Sequence, residues 1–270
     1  MSNNFILIDG SYYCFSRYFA IHNWFKLARQ EVELTNPSEN AEFVEKFRKT
    51  FVSKIQEIPK KLKIESPIMI VAKDCSRANI WRNEVYDQYK ATRVYDDSFM
   101  GGPFFAMAYD ENDNLFTKAG VKAMLYHPKL EADDCVAITT KHILEKYPDA
   151  HVTIITSDTD YLQLVGPRVD LFSLKLKRVN TEKNSTPDNP ERDLFCKIVQ
   201  GDKSDNIPSV FKKCGLKTAQ KLYDEPETFQ SRLEKEGVRD VYERNRTLVD
   251  FNQIPQDLVD DFKKNCLLIG

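Results

Sequence analysis

The sequence predicts an α/β protein: a mostly parallel central sheet with helices on both faces, followed by a C-terminal helical region. Three observations predict it. Short β-rich apolar runs recur at 5–8, 68–71, 121–126 and 152–155. Between the first two, Val44, Phe47, Phe51, Ile55 and Ile58 fall at steps of three and four, the stripe of an amphipathic helix. Beyond residue 190 the chain reads as short helices. Strand–helix alternation of this kind closes most readily into a parallel sheet covered on both faces.

The elements follow in order. Residues 5–8 form the first strand, and the 44–58 stripe the helix that crosses to the second at 68–71. Residues 121–126 and 152–155 supply two more strands, and 169–179 has the pattern of a hairpin. The polar stretch 180–190 holds two prolines and reads as a linker. Pro255 opens a last helix. This divides the chain into a core at 1–185, with an arch around 82–105, and a helical region at 186–270. No internal repeat or low-complexity tract interrupts it.

Composition excludes several function classes. Hydrophobic residues make up 41% and charged residues 30% of 270, which suits a folded, water-soluble chain and not a disordered one. No apolar stretch reaches the roughly 18–20 residues that span a bilayer, and residues 1–8 lack the basic start and cleavage site of a secretory signal. The six cysteines stand singly, so free thiols in a reducing, cytoplasmic compartment are expected, without a zinc ribbon or disulfide framework. With 9 glycines and neither G-x-x-x-x-G-K-[ST] nor G-x-G-x-x-G, a P-loop or dinucleotide fold loses its main support. The net charge of −2 gives no global attraction for nucleic acid, so any phosphate-binding surface must be local.

The acids are placed more tellingly. Asp9 follows the first strand, Asp74 the second, Glu131, Asp133 and Asp134 the third, and Asp158 and Asp160 the fourth. Residues just past the carboxyl ends of parallel strands converge on one crevice. Any one of these acids alone is more simply a turn former or helix cap, and 131–134 alone is an acid-rich first helical turn. Together they would repel strongly unless cations neutralise them. An all-oxygen set without Cys or His suits Mg²⁺ or Mn²⁺ rather than zinc, and such ions activate water and steady a phosphodiester in displacement. On a helix, Glu131 and Asp134 share a face, with Asp133 rotated by about 100°, so Asp133 is the weakest of the three as a ligand.

Rival chemistry fails on detail. Asp158-Thr159-Asp160 is followed by Tyr161-Leu162, not the pattern of a haloacid-dehalogenase-type phosphatase. His22, His127, His142 and His151 sit in no nucleophile or metal spacing and read as structural or surface residues.

A basic stretch lies between the second and third strands. On a helix, Arg82, Tyr86, Lys90 and Arg93 would share one face, interleaving cations with an aromatic, a grip for a single strand. Charge pattern alone favours a solvated amphipathic helix; proximity to Asp74 tips the balance. Residues 94–105, with Gly101-Gly102-Pro103, read as a flexible connection beside the site. Farther on, Asp202 and Asp205 add two acids. The stretch 214–222, with Lys217 and Thr218, reads as a turn into a helix whose first amides can hold a phosphate.

Taken in order, Ile8-Asp9-Gly10, Asp74 with Arg77, Tyr89-Lys90-x-x-Arg93, Glu131-Ala132-Asp133-Asp134, Ser157-Asp158-Thr159-Asp160-Tyr161 and Gly201-Asp202-x-x-Asp205-Asn206-Ile207-Pro208 resemble the 5′-nuclease superfamily of flap endonucleases and 5′-3′ exonucleases. The six motifs span Asp9 to Ala219 in the superfamily's order. The segment 248–255, with Trp81-Arg82, is most like the ribonuclease H branch of T-even bacteriophages, which points to a viral replication protein. The resemblance implies a PIN-like core and two metal ions. Asp9, Asp74, Glu131, Asp133 and Asp134 would serve one ion; Asp158, Asp160, Asp202 and Asp205 the other. It implies that Lys90 and Arg93 meet the scissile phosphate from a helical arch, and that Phe15 stacks on a terminal base pair. It also implies a helix–turn–helix-type motif on downstream duplex DNA, often holding K⁺. Here the glycine-rich turn keeps only Gly215, and Ser209, Lys212 and Lys213 stand around the places of the others, which puts a K⁺ site in doubt.

The expectation is a Mg²⁺-dependent 5′-3′ exonuclease and flap endonuclease acting on DNA and RNA–DNA duplexes in replication. It would be a monomer, away from membranes, assisted by a single-strand-binding protein or sliding clamp. The alternatives are a PIN-like ribonuclease, a catalytically inactive nucleic-acid-binding relative and, more distantly, a small-molecule phosphoesterase.

Overall fold

The computed structural model describes residues 3–93, 98–181, 185–186 and 189–267. Parts of the expected arch (94–97) and linker (182–184, 187–188) lie outside them. The first half runs β1 (Asn4–Asp9), α1 (Gly10–Ala28), α2 (Ala41–Leu62), β2 (Ile68–Ala72), α3 (Arg82–Val85), α4 (Gly102–Ala108), α5 (Leu115–Lys118) and β3 (Ala123–Leu125). The second half runs α6 (Ala132–Lys146), β4 (His151–Ile155), β5 (Val169–Phe172), α7 (Pro190–Gln200), α8 (Leu216–Asp224), α9 (Pro226–Glu236), α10 (Arg239–Val249) and α11 (Gln256–Asn265).

The five strands form one parallel sheet in the order β3-β2-β1-β4-β5. Alternate residues of β1 feed two cores. Phe5 and Leu7 pack toward α6 and α11, whereas Ile6 and Ile8 pack toward α1 and α2. Burial on both faces explains why the strands read as unbroken apolar runs, each sealed side chain contributing about 1.5–3 kcal/mol. Asn40 caps α2 by accepting from the Phe43 amide at 2.9 Å. The buried stripe is Phe43, Phe47, Phe51, Ile55 and Ile58, with Val44 at its margin.

Three expectations change. The strand expected at 121–126 shortens to three residues. The hairpin expected at 169–179 is instead the parallel edge strand β5, followed by a turn and one isolated antiparallel bridge, Phe172 to Arg178. The helix expected through Arg82, Tyr86, Lys90 and Arg93 ends at Val85. Tyr86 is extended (φ −150°), successive turns follow, and Lys90 has φ 55°. Arg82 points inward, so the four side chains do not share a face.

In the C-terminal region α7 and α8, joined by residues 201–215, pack through Val199, Val210, Phe211, Ala219 and Leu222. They are the pair expected to carry the helix–turn–helix-type motif. The buried Asn245 of α10 donates to the carbonyls of Ile198 and Pro208 at 3.1 and 2.7 Å, tying α10 to α7 and the turn. All six cysteines are free thiols. Among the described residues no helix is long and apolar enough to cross a membrane.

Candidate active site

The sheet order reverses between β1 and β4, and the carboxyl ends of the strands on either side open into a cleft of about 300 Å³. Asp9, Asp74, Glu131, Asp133 and Asp158 line it, with Lys90, Arg93 and Tyr161. Asp9 ends β1 and caps α1, accepting from the Tyr12 amide at 3.0 Å. Its other oxygen accepts from Thr156 (3.2 Å) just past β4 and from Tyr161 (3.3 Å). Asp74 accepts from the Ser11 hydroxyl and from the Ala132 amide at 2.8 Å, which joins β2 to the first turns of α1 and α6. Gly10 makes this junction possible: a Cβ there would lie 2.5 Å from the Ala72 carbonyl oxygen.

A second acid group adjoins the first. Asp160, Asp202 and Asp205 bring carboxylate oxygens within 4.8 Å of one another, as do Glu131, Asp133 and Asp134. Gly201, at φ 72°, turns the chain so that Asp202 follows; a Cβ there would meet the Ile207 carbonyl oxygen at 2.4 Å. Cations interleave with the acids. Lys90 pairs with Glu131 and lies 3.7 Å from Asp205, Arg93 reaches Asp205 at 2.5 Å, and Lys197 bridges Asp160 and Asp202. The Tyr89 hydroxyl stands between Glu131 (2.9 Å) and Asp205 (3.2 Å). Sequence reasoning missed Tyr89 as a linking group and Lys197 altogether. The signal for Lys197 was its place near the end of an amphipathic helix, five residues before Asp202.

The electrostatics suit divalent cations. Burial, then repulsion from Asp74 and Asp158, pushes the Asp9 carboxyl up to about 7. Burial with Asp134 and Glu131 nearby pushes Asp133 well above the usual carboxylate range. Asp160 is pushed up to about 6, first by burial. One oxygen of Asp160 is buried with the Lys197 ammonium 2.5 Å away as its partner. An all-oxygen set of crowded, raised carboxyls fits hard divalent ions. Cation uptake must therefore expel protons. At pH 6 a pH-stat titration is expected to record more protons released per Mn²⁺ bound than at pH 8; equal release at both would contradict these raised carboxyls.

Two expected site residues have different places. Asp134 is fully buried, with both oxygens held by Arg82 at 2.7 and 2.8 Å and one also by the Trp81 indole at 3.0 Å. It lies behind the cleft, whereas Asp133 lines it. The helical-wheel argument ranked them the other way because it treated Glu131 as helical. Glu131 is the extended residue before α6 (ψ 165°), its amide donating to Asp134 at 3.1 Å. Arg82 is 2% exposed and holds Glu131, Asp134 and the Leu248 carbonyl. It is internal and does not meet nucleic acid.

The remaining expected residues are accessible to different degrees. Arg77 donates to the carbonyls of Lys90 and Arg93, bracing the segment that carries both. Tyr86 is half-buried under the Arg244 guanidinium, 4.5 Å from its ring centroid. Phe15 is exposed and packs with Phe19, Phe99 and Phe105. Lys212, Lys213 and Lys217 are exposed and Thr218 is half-buried, around the start of α8.

The sequence model of the 5′-3′ exonuclease N-terminal resolvase-like domain matches residues 4–190. DNA polymerase I of Rhizobium leguminosarum is 30% identical over 190 residues, which is 67% of this chain and 18% of that protein. The 5′-3′ exonuclease of Bacillus subtilis is 27% identical over 242 residues, 86% of this chain and 74% of that protein. The chain thus spans less than a fifth of the polymerase and about three quarters of the separate exonuclease. Two solved structures share the fold over 98% of this chain. They are the 5′-exonuclease of bacteriophage T5 with zinc (TM-score 0.67, 22% identity, 99% of that chain) and a T5 flap endonuclease with DNA and metal ions (0.64, 21%, 98%). With its motifs, fold and cleft in agreement with the family match, the chain belongs to the 5′-3′ exonuclease family.

Proposed function

We propose that the protein is a divalent-metal-dependent 5′ nuclease, using Mg²⁺ or Mn²⁺ at two subsites. It hydrolyses phosphodiester bonds near the 5′ ends of DNA and RNA–DNA duplexes, removing primers and flaps in replication. The observation that carries this reading is the convergence of acids from four strand ends on one cleft overhung by Lys90 and Arg93. The relatives named for 5′-3′ exonuclease activity, and the T5 structure named for its DNA and metal ions, support it.

Divalent ions bound among these carboxylates supply an activated water and charge neutralisation at the phosphate. The chain's own residues do the rest. Lys90 and Arg93, paired with Glu131 and Asp205 at the cleft, support a role in which they exchange those partners for the scissile phosphate. Cations so placed act on charge that develops during displacement. The exposed rings of Phe15 and Phe19, beside Phe99 and Phe105, offer a face on which a base stacks.

Cleavage of a 5′-labelled flap and of a nicked RNA–DNA duplex, with and without Mg²⁺, tests the reading. Short 5′ products only with Mg²⁺ support it. Binding without cleavage would instead identify an inactive nucleic-acid-binding relative.

Lys212 and Lys213 carry a prediction of their own. Lys213 has φ 56°, and the Ser209 hydroxyl sits 3.1 Å from the Val199 and 2.9 Å from the Phe211 carbonyl oxygen. We infer that these ammonium groups neutralise a downstream duplex phosphate in place of the K⁺ that the resemblance implies. Replacing both by alanine is expected to weaken duplex binding and flatten its salt slope by up to about two units, roughly one per phosphate contact. Binding that is tighter in K⁺ than in Na⁺ at equal ionic strength would reject the substitution of lysine for K⁺.

A further inference from the structure

The two acid groups differ in how their charge is already balanced. Around the first, Lys90 and the buried Arg82 both pair with Glu131, and neither forms a salt bridge with Asp9, Asp74, Asp133 or Asp158. The second holds three acids and more cations: Lys197 on Asp160 and Asp202, and Arg93 with Lys90 on Asp205. Lys197 is the most intimate of these. Its ammonium lies 2.5 Å from Asp160 Oδ1, the same oxygen that lacks a directed hydrogen bond, and donates to Asp202 Oδ2. Asp202 keeps its other oxygen on the Ser204 amide (2.7 Å) and hydroxyl (2.6 Å), so its orientation is fixed from one side and its free edge faces Lys197.

We propose that Lys197 is a resident counter-ion standing where the second divalent ion binds, holding Asp160 and Asp202 together while that ion is away and withdrawing when it arrives. The second subsite is therefore the weaker and later-filled of the two. This rests on the two-subsite reading above and names the residue that makes the subsites unequal. Three facts support it. A unit charge between two carboxylates lowers the affinity for any further cation at the same oxygens. Lys197 is rooted in α7, whose Cys196 and Val199 pack against Val210 and Phe211, so its backbone is anchored while a flexible four-carbon stem carries the ammonium. Beside it lies a cavity of about 230 Å³ with a mixed lining, in which Asp193, Gln163 and Gln200 stand among Leu162, Leu194 and Leu216 and offer a displaced ammonium an acid and two amides to meet.

Mn²⁺ alone, titrated into the metal-free full chain by calorimetry, tests the proposal without requiring cleavage. The wild-type protein is expected to show two classes of site. Lys197→Met, which keeps the length of the stem and removes the charge, is expected to tighten the weaker class at least about tenfold and to leave the tighter class within about twofold. An unchanged weaker class, or equal tightening of both, overturns the proposal. A second measurement keeps it falsifiable should the variant not fold. The Lys197 ammonium signal in ¹⁵N-lysine-labelled wild-type protein is expected to shift or vanish with the second equivalent of Mn²⁺-matched diamagnetic Mg²⁺, and not with the first. A change complete at the first equivalent overturns it. Absent cleavage with two intact classes of site would count against the nuclease reading and not against this one.

Discussion

Asp9→Asn is expected to abolish cleavage while making the metal-free protein more stable. The amide keeps an oxygen for the Tyr12 amide and remains within reach of Thr156 and Tyr161, so the start of α1 stays capped. What it loses is a negative charge at the reversal point of the sheet. Losing about 4 kcal/mol of metal-borne stabilisation slows turnover roughly a thousandfold. The stability gain follows from the same charge. Burial first, and then Asp74 and Asp158, raise this carboxyl to about 7, against an ordinary value of 3.8. The cost of ionising it in the folded state is fully present above pH 7 and is relieved as pH falls through 7 toward 4. At pH 8, without metal, the variant should gain on the order of 1–3 kcal/mol, a rise in Tm of several degrees. That gain should shrink near pH 5. Thermal melts at the two pH values, with flap cleavage in Mg²⁺, check both halves; a variant that turns over at wild-type rate sinks the assignment.

Arg82→Met should have the largest effect on folding. The guanidinium is sealed from water, grips Asp134 through two nitrogens, touches Glu131 and donates to the Leu248 carbonyl at 2.7 Å. Removing it strands the buried Asp134 charge, which costs about 3–5 kcal/mol. Urea unfolding should show that loss. Adding Asp134→Leu should recover most of it, since a buried pair replaced by apolar groups of similar size is often near neutral. The double variant should still cleave poorly, because Glu131 has lost the group that holds it in place. Full activity in the double variant would show that Arg82 serves stability alone.

The sequence by itself determined four of the strands, their parallel sense and the acids at their ends. Runs such as Phe5-Ile6-Leu7-Ile8 are apolar without alternation because both faces of the sheet are covered, and the acids stand out because they fall within a few residues of the ends of such runs. The stripe of α2 was equally legible, since 3.6-residue periodicity is a local property. What only the tertiary structure decided is which charges face inward. Asp133 and Asp134 are neighbours of the same type, and so are Arg82 and Lys90 in the eye of a charge count. Asp134 and Arg82 find each other inside the protein across 52 residues, which turns Asp133 and Lys90 toward the cleft. The same holds for Lys197, whose role depends on Asp160, 37 residues earlier on another element. Periodicity and strand ends are written into short stretches of chain. The pairing of a buried charge is a long-range choice, set by the cost of leaving any one of them without a partner.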